Sequence, residues 1–390
     1  MRTITTTTKR AFGGLAALAL VASACGSDSE SESVEDVVDD AVDEVEQAAE
    51  DVEEAVEDAA GEVADAAEDV EEAVEGAAED AVDEVEEVVG ADGDTVRIGI
   101  VAPSASNDLA FTQSIVDSVN RVGEERDIDV QITDGTFVVE DAAAAIRGYA
   151  DDGVDLVIAH GSQFGGPLEE IAPDFPDTTF AWGTAVDTFG LDNVFAYTVR
   201  ADEGGYVNGV MAAQLTESDT IGVVGPVEVG DAKLYIDGFS AGVASIDPEV
   251  SVDVNYIESF SDVALASEAA NAFVENGADV LTGTAQMVVG ATGVANDAGI
   301  PWFGTQSDQT PLGEDIVVAS QEYHWEVVLN DILDAIGGGA AGGETFTLTF
   351  ENGGLEMVFN DGFALSDEAR ASADEAIAGL TDGSLTTGLE

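Results

Sequence analysis

Three stretches of this sequence carry residue types at spacings that could do chemistry. Gly238-Phe239-Ser240-Ala241-Gly242 matches the G-x-S-x-G of a serine nucleophile elbow. Such an elbow needs a strand directly before the serine, whereas Lys233–Ile236 already reads as the start of a helix, so Ser240 is expected to be a small helix residue. Gly337 to Gly342 contains G-x-G-x-x-G. It follows a helical stretch and precedes the strand-like Thr345–Phe350, the reverse of the order in a dinucleotide site, and reads as a loop. The only two histidines, His160 and His324, lack an H-x-x-x-H spacing or a cysteine nearby, so no zinc site is expected. His160 stands at the carboxyl end of the apolar run Leu156–Ala159, where a pocket residue and a hydrogen-bonded structural histidine are both open; His324 reads as a helix-start residue. The patterns predict no catalytic residue, no metal and no cofactor.

A fourth pattern is more informative. Phe111, in Ser106-Asn107-Asp108-Leu109-Ala110-Phe111-Thr112-Gln113-Ser114, follows the apolar run Val96–Val101. Gln163 and Phe164 follow Leu156–Ala159, and Trp182 closes Thr179–Trp182. Tyr235 lies beyond Thr220–Gly225, Phe260 follows Val252–Tyr256, and Gln306, Ser307 and Asp308 end Trp302–Thr305. Open α/β sheets bind ligands at the carboxyl ends of their strands. Each aromatic taken singly also reads as core. Their recurrence at one edge suggests flat rings across a cleft, with amides and carboxylates reading the edge of a planar heterocycle.

The elements that must position these residues alternate in a regular way. The runs already named, with Val130–Ile132, Val280–Thr282 and Ile316–Ser320, alternate with helical stretches at 111–126, 139–151, 166–172, 203–215, 234–245, 261–276, 286–298 and 322–336. Strand-then-helix order implies parallel sheets flanked by helices. Nearly 300 residues with two such series suit two lobes better than one core. The expected fold is therefore α/β and two-lobed, with parallel sheets flanked by helices and a ligand cleft between the lobes. Lobe 1 is expected over about 95–200 with part of 305–390, and lobe 2 over about 201–304, the chain crossing back near 303–310.

Upstream of residue 95 the composition changes. Arg2, Lys9 and Arg10 precede a short apolar run, and Val21-Ala22-Ser23-Ala24 leads into Cys25, the only cysteine. Residues 1–24 read as a secretory signal too short to span a membrane. Cys25 in that setting resembles the lipidated residue of a bacterial lipobox, which would anchor the protein to the membrane on its extracytoplasmic face; a plain signal peptide with an incidental cysteine is the alternative. Residues 25–94 hold 31 of the 82 acidic residues and no Lys or Arg. Their Val/Ala/Glu/Asp pattern fits a partly helical spacer, a disordered acidic tether or a coiled-coil segment.

The formal net charge is −72, and residues 95–390 still carry 51 acidic against 7 basic residues. That balance excludes nucleic-acid binding through phosphate neutralisation and simple adhesion to anionic lipid. It suits a salt-rich habitat, where self-repulsion is screened.

From about residue 95 onward the chain resembles the Basic Membrane Protein (BMP) family of substrate-binding lipoproteins, which is similar to the purine nucleoside receptors of bacterial ABC transporters. The matching stretches are Asn107 to Gln113, Pro167 to Ala172, Asp202 to Tyr206, Asp237 to Gly242, Val254 to Phe260, Asn276 to Val280 and Ser307 to Gln309. The resemblance implies a two-lobed, type I periplasmic-binding-protein-like fold and a nucleoside-like solute delivered to an ABC permease and its ATPase. It places the two base-stacking phenylalanines on Phe111 and Phe260 and a third aromatic on Tyr235, and it also matches Asn107 and Asp108. The ribose-reading positions depart from the family: D-S-D-Q reads Gln306-Ser307-Asp308-Gln309, an aspartate becomes Thr184, and a lysine falls near Tyr323. The candidate ligand-binding set is thus Asn107, Asp108, Phe111, Phe164, Trp182, Tyr235, Phe260, Gln306 and Asp308. A lipid-anchored receptor serving a signalling partner, or a surface spacer or adhesin, stands as the alternative function.

Overall fold

The computed structural model describes residues 95–389, which build two α/β lobes, each on a six-stranded sheet. The leader, Cys25 and the acidic spacer lie outside the described residues. The first sheet has the order β11-β5-β4-β3-β1-β2, from Val96–Val101 (β1), Ile128–Thr133 (β2), Leu156–Ala159 (β3), Thr179–Gly183 (β4), Val194–Val199 (β5) and Thr345–Leu348 (β11), all parallel. The second has the order β12-β10-β9-β8-β6-β7, from Thr220–Gly225 (β6), Ser251–Tyr256 (β7), Val280–Gly283 (β8), Trp302–Gln306 (β9), Val317–Tyr323 (β10) and Leu355–Phe359 (β12). Only β12 runs antiparallel, against β10. Helices cover the faces of both sheets, which is why central strands such as Leu156–Ala159 are apolar at every position and wholly buried.

Nine helices of the described residues matter below: Phe111–Glu125 (α1), Val139–Asp151 (α2), Gly165–Ile171 (α3), Ala201–Leu215 (α4), Gly230–Ile246 (α5), Val263–Glu275 (α6), Val288–Ala298 (α7), Glu326–Gly337 (α8) and Asp367–Thr381 (α9). The expected two-lobed architecture holds, with three differences. Val194–Val199, Leu355–Phe359 and α9 are elements that the alternation did not reveal. β4 passes to its parallel neighbour β5 through a loop with no helix, which breaks the strand-then-helix rhythm.

The lobe boundary is the third difference. The return crossing does not fall at 303–310, because β9 and β10 both stay in the second sheet, paired parallel to each other. Leaving the sheet at residue 305 would orphan the backbone groups of both strands. The chain instead recrosses after Tyr323, where α8 packs on α1 of the first lobe, then supplies β11 to the first sheet and β12 to the second. Three crossings therefore link the lobes, near Arg200, Tyr323 and Thr349.

The Gly-x-Ser-x-Gly stretch finds its explanation in packing. A Cβ on Gly238 would lie 2.2 Å from the Asp202 carbonyl oxygen, and one on Gly242 2.1 Å from that of Tyr206. On the facing helix, a Cβ on Gly205 or Gly209 would meet the carbonyls of Tyr235 and Phe239 at 2.3 and 2.1 Å. Four glycines thus let α4 and α5 approach backbone to backbone. Ser240 sits mid-helix and donates its hydroxyl to the Ile236 carbonyl, as expected of a helix residue.

Candidate functional site

Both sheets send the carboxyl ends of their strands to the same place. A cavity there is lined from the first lobe by Pro103, Phe111, Phe137, Gly161, Ser162, Gln163 and Thr184, which follow β1 to β4. From the second lobe it takes Asp231, Ala232, Phe260, Ala285, Gln286 and Gln306, which follow β6 to β8 or end β9. It encloses about 360 Å³ of atom-free space, including the open mouth. Strain collects at its wall. Thr184, Ala285 and Gln306 hold φ of 55°, 73° and 78°, a left-handed backbone that costs a residue with a Cβ free energy. Such strain persists where the surrounding structure fixes a functional geometry.

Phe111 is the platform of the first lobe. His160 backs its ring, stacked at 4.1 Å and 11°, and Tyr197 lies beyond His160 at 6.0 Å and 15°. The edge of Trp325 closes this stack, 6.4 Å from Phe111 and 5.3 Å from both His160 and Tyr197, while its indole N–H donates to Ser114 Oγ at 2.8 Å. His160 is therefore structural and does not line the cavity. Its Nε2 faces the Phe111 carbonyl at 3.4 Å, and because a carbonyl only accepts, Nε2 carries the proton. Nδ1 then accepts from the Tyr197 hydroxyl at 2.7 Å. Burial holds the imidazole neutral, pushed down to about 3 against the weaker opposing pull of the Phe111 carbonyl.

Phe260, half-buried, faces the cavity from the second lobe. Gln306 is nearly buried, and its Oε1 has no hydrogen-bond partner. The same holds for Gln286 Oε1 and for Asp231 Oδ2. Burial pushes the Asp231 carboxyl up to about 6, against the helix-start amides of Asp231 and Ala232 and the Gln306 amide, which favour its charged form. Three unpaired oxygens at one cavity are an invitation to a ligand, since buried polar groups are ordinarily satisfied.

Of the residues expected at the site, the structure brings Phe111, Phe260 and Gln306 together on this cavity, with Gln163 and Thr184 beside them. The others are placed elsewhere. Phe164 is fully buried in the core of the first lobe against Leu168 and Phe180. Trp182 rests on Gly165, stacks on Phe189 at 4.8 Å and donates its N–H to the Gly161 carbonyl, so it braces the wall from behind. Tyr235 is buried in the second lobe, where its hydroxyl accepts from Asn208 and donates to Thr282 Oγ1, which itself donates to the Phe303 carbonyl. With every partner supplied from within, that hydroxyl has nothing left for a ligand, and burial raises it to about 12.

Asp108 holds the turn before α1: its carboxylate accepts from the amides of Ala110, Thr112 and Gln113 and from Ser104 Oγ at 2.6 Å. Asn107 is exposed and lines no part of the cavity. Asp308 caps the short turn at Thr310 and lines an adjoining cavity, shared with Gln306, that also takes in Asp117, Arg121, Glu322 and Tyr323. Phe137, Ser162, Asp231 and Gln286 were missed. All four follow a strand end, within six residues of it, and sequence alone does not separate them from the other residues of the same loops.

Residues 95–376 match the profile of the PnrA-like ABC transporter substrate-binding proteins, the Bmp family. The chain belongs to the Bmp family. Among its relatives, a purine-binding protein of Brucella abortus is 26% identical over 297 residues, covering 75% of this chain and 83% of that one. An ABC transporter nucleoside-binding protein of Lactococcus lactis is 25% identical over 304 residues, covering 72% and 85%. The solved ABC transporter solute-binding protein of Conexibacter woesei superposes with a TM-score of 0.60 at 25% identity, over 75% of this chain and 98% of that one. This Bmp-family protein is thus an ABC transporter substrate-binding protein with the periplasmic-binding-protein architecture.

Proposed function

We propose that this Bmp-family chain is the solute-binding component of an ABC importer, held by a lipidated Cys25 on the extracytoplasmic face of the membrane, and that it takes up an uncharged nucleoside or related flat heteroaromatic. It performs no catalysis. The observation that carries the reading is the cavity itself: one phenylalanine from each lobe and three unpaired side-chain oxygens at the converging strand ends. The named activities of the Brucella and Lactococcus relatives support the same solute class. Charge narrows it further. Among the described residues that line the cavity there is no Lys, Arg or His, and Asp231 is there instead. A phosphate or carboxylate would meet a carboxylate with no cation to offset it, so nucleosides and free bases are favoured over nucleotides. Closure about the three interlobe crossings would bring the two rings onto the faces of the solute.

Titration calorimetry at high salt with a panel of nucleosides, free bases and nucleoside monophosphates tests the reading. A nucleoside or base should bind, its monophosphate should not, and Phe260→Ala should weaken binding about 5- to 150-fold, the worth of one ring stacked on a base. Silence from every nucleoside and base would refute the solute class.

A further inference from the structure

Resting on the solute-binding reading above, we propose that Asp231 and Gln306 together receive a pair of adjacent hydrogen-bond donors from the solute. Asp231 lies in the first turn of α5, whose position is fixed by the close glycine contacts with α4. Its carboxylate borders the cavity with Oδ2 shielded from solvent and unpartnered. Gln306, 3% exposed, borders the same cavity with an equally unpartnered Oε1, held there by the left-handed backbone at the end of β9. The nearest lysine in sequence, Lys233, is engaged by Glu228 and Asp237, so Asp231 has no cation of its own.

An amide can turn either its oxygen or its nitrogen to a partner. An ionised carboxylate only accepts, and it accepts best from two donors at once. The requirement for donors is therefore set by Asp231. Two groups on a nucleoside-like solute present such a pair: the vicinal hydroxyls of a ribose, and the ring N–H with its neighbouring amino group on a lactam–amine edge. The titratable group facing Asp231 is Tyr323, buried, with its hydroxyl unpartnered and raised by burial and by the Asp231 charge. The acceptor form of Asp231 prevails above its raised value of about 6.

The test compares the full chain with its Asp231→Asn variant, which keeps the shape and removes the charge and one acceptor. Four solutes separate the sources: guanosine has both donor pairs, 2′-deoxyguanosine only the lactam–amine edge, adenosine only the vicinal hydroxyls, and 2′-deoxyadenosine neither. The inference expects Asp231→Asn to lose about 10- to 100-fold affinity for the solutes bearing one of the pairs, with 2′-deoxyadenosine changed less than about threefold. Loss confined to guanosine and adenosine assigns the hydroxyls; loss confined to guanosine and 2′-deoxyguanosine assigns the ring edge. A second measurement does not depend on the variant folding: wild-type affinity for the responding solutes should fall as pH is lowered through about 6, and that for 2′-deoxyadenosine should not. Equal effects on all four solutes, or no effect on any, overturn the inference while leaving the solute-binding reading intact. A wild-type chain that is folded yet binds none of them overturns the reading itself, and the inference with it.

Discussion

His160→Gln should change how the protein's stability responds to acid, by an amount the structure fixes. In the folded chain the imidazole is fully buried behind Phe111 and held neutral at about 3, whereas in the unfolded chain it titrates at its ordinary 6.5. A base with a depressed folded value contributes full stability above its unfolded value and loses it as pH falls toward the folded one. At pH 5 the unfolded chain gains about 2 kcal/mol by taking up the proton that the folded chain refuses. That figure is insensitive to where below pH 5 the folded value lies. For a domain of this size it amounts to a melting shift of about 4–8 °C. Asp231, raised to about 6, also titrates between pH 7 and 5 in both proteins, so the reading lies in the difference between them. Melting by circular dichroism at both pH values, at fixed high salt, should show the wild type losing about 2 kcal/mol more than His160→Gln. Glutamine retains an acceptor for the Tyr197 hydroxyl and has no proton to gain. Equal acid sensitivity in the two proteins would show that the imidazole is not held neutral in the folded state, and the hydrogen-bond assignment at Phe111 would fall with it.

Other outcomes follow from the packing. Gly242→Ala should destabilise by about 1–3 kcal/mol, because its methyl meets the Tyr206 carbonyl across the α4–α5 contact. On a helix with no such neighbour the same change would stabilise by up to about 1 kcal/mol, so the sign of the melting shift decides the point. Arg200→Met should cost about 3 kcal/mol in denaturant unfolding, since both guanidinium contacts end on the buried Asp202 carboxylate and a third reaches the Leu389 carbonyl. Trp325→Phe should lower thermal stability and weaken solute binding together, for it removes the hydrogen bond to Ser114 behind the Phe111 platform.

The legible part of the fold was what repeats. β1 to β4 and β6 to β11 announce themselves as short apolar or strand-like runs, and the helices between them by their length. Val194–Val199 was hidden because no helix precedes it, and α9 because its mean polarity leaves only a thin buried stripe of Ala369, Ala373, Ala376 and Leu380. At the site, Phe111 and Phe260 could be picked out from strand ends and the family pattern. Phe164 and Tyr235 satisfy the same strand-end rule, and nothing in sequence tells a ring turned toward the cleft from one turned into its own lobe.

By itself the sequence determined the α/β class, the two series of strands and the acidic charge balance, because periodicity and charge are local or additive properties. It also determined that Ser240 is no nucleophile. Only the tertiary structure decided which chain segments cross between lobes, since the pairing of β9 with β10 in one sheet is made by backbone hydrogen bonds that no residue pattern specifies. Only it decided that one oxygen of Asp231, Oδ2, is left without a partner at the cavity while both oxygens of Asp108 are spent on the turn before α1. Both are aspartates past the end of a strand. What separates them is which donors the folded chain places within reach, and that is a property of three-dimensional packing.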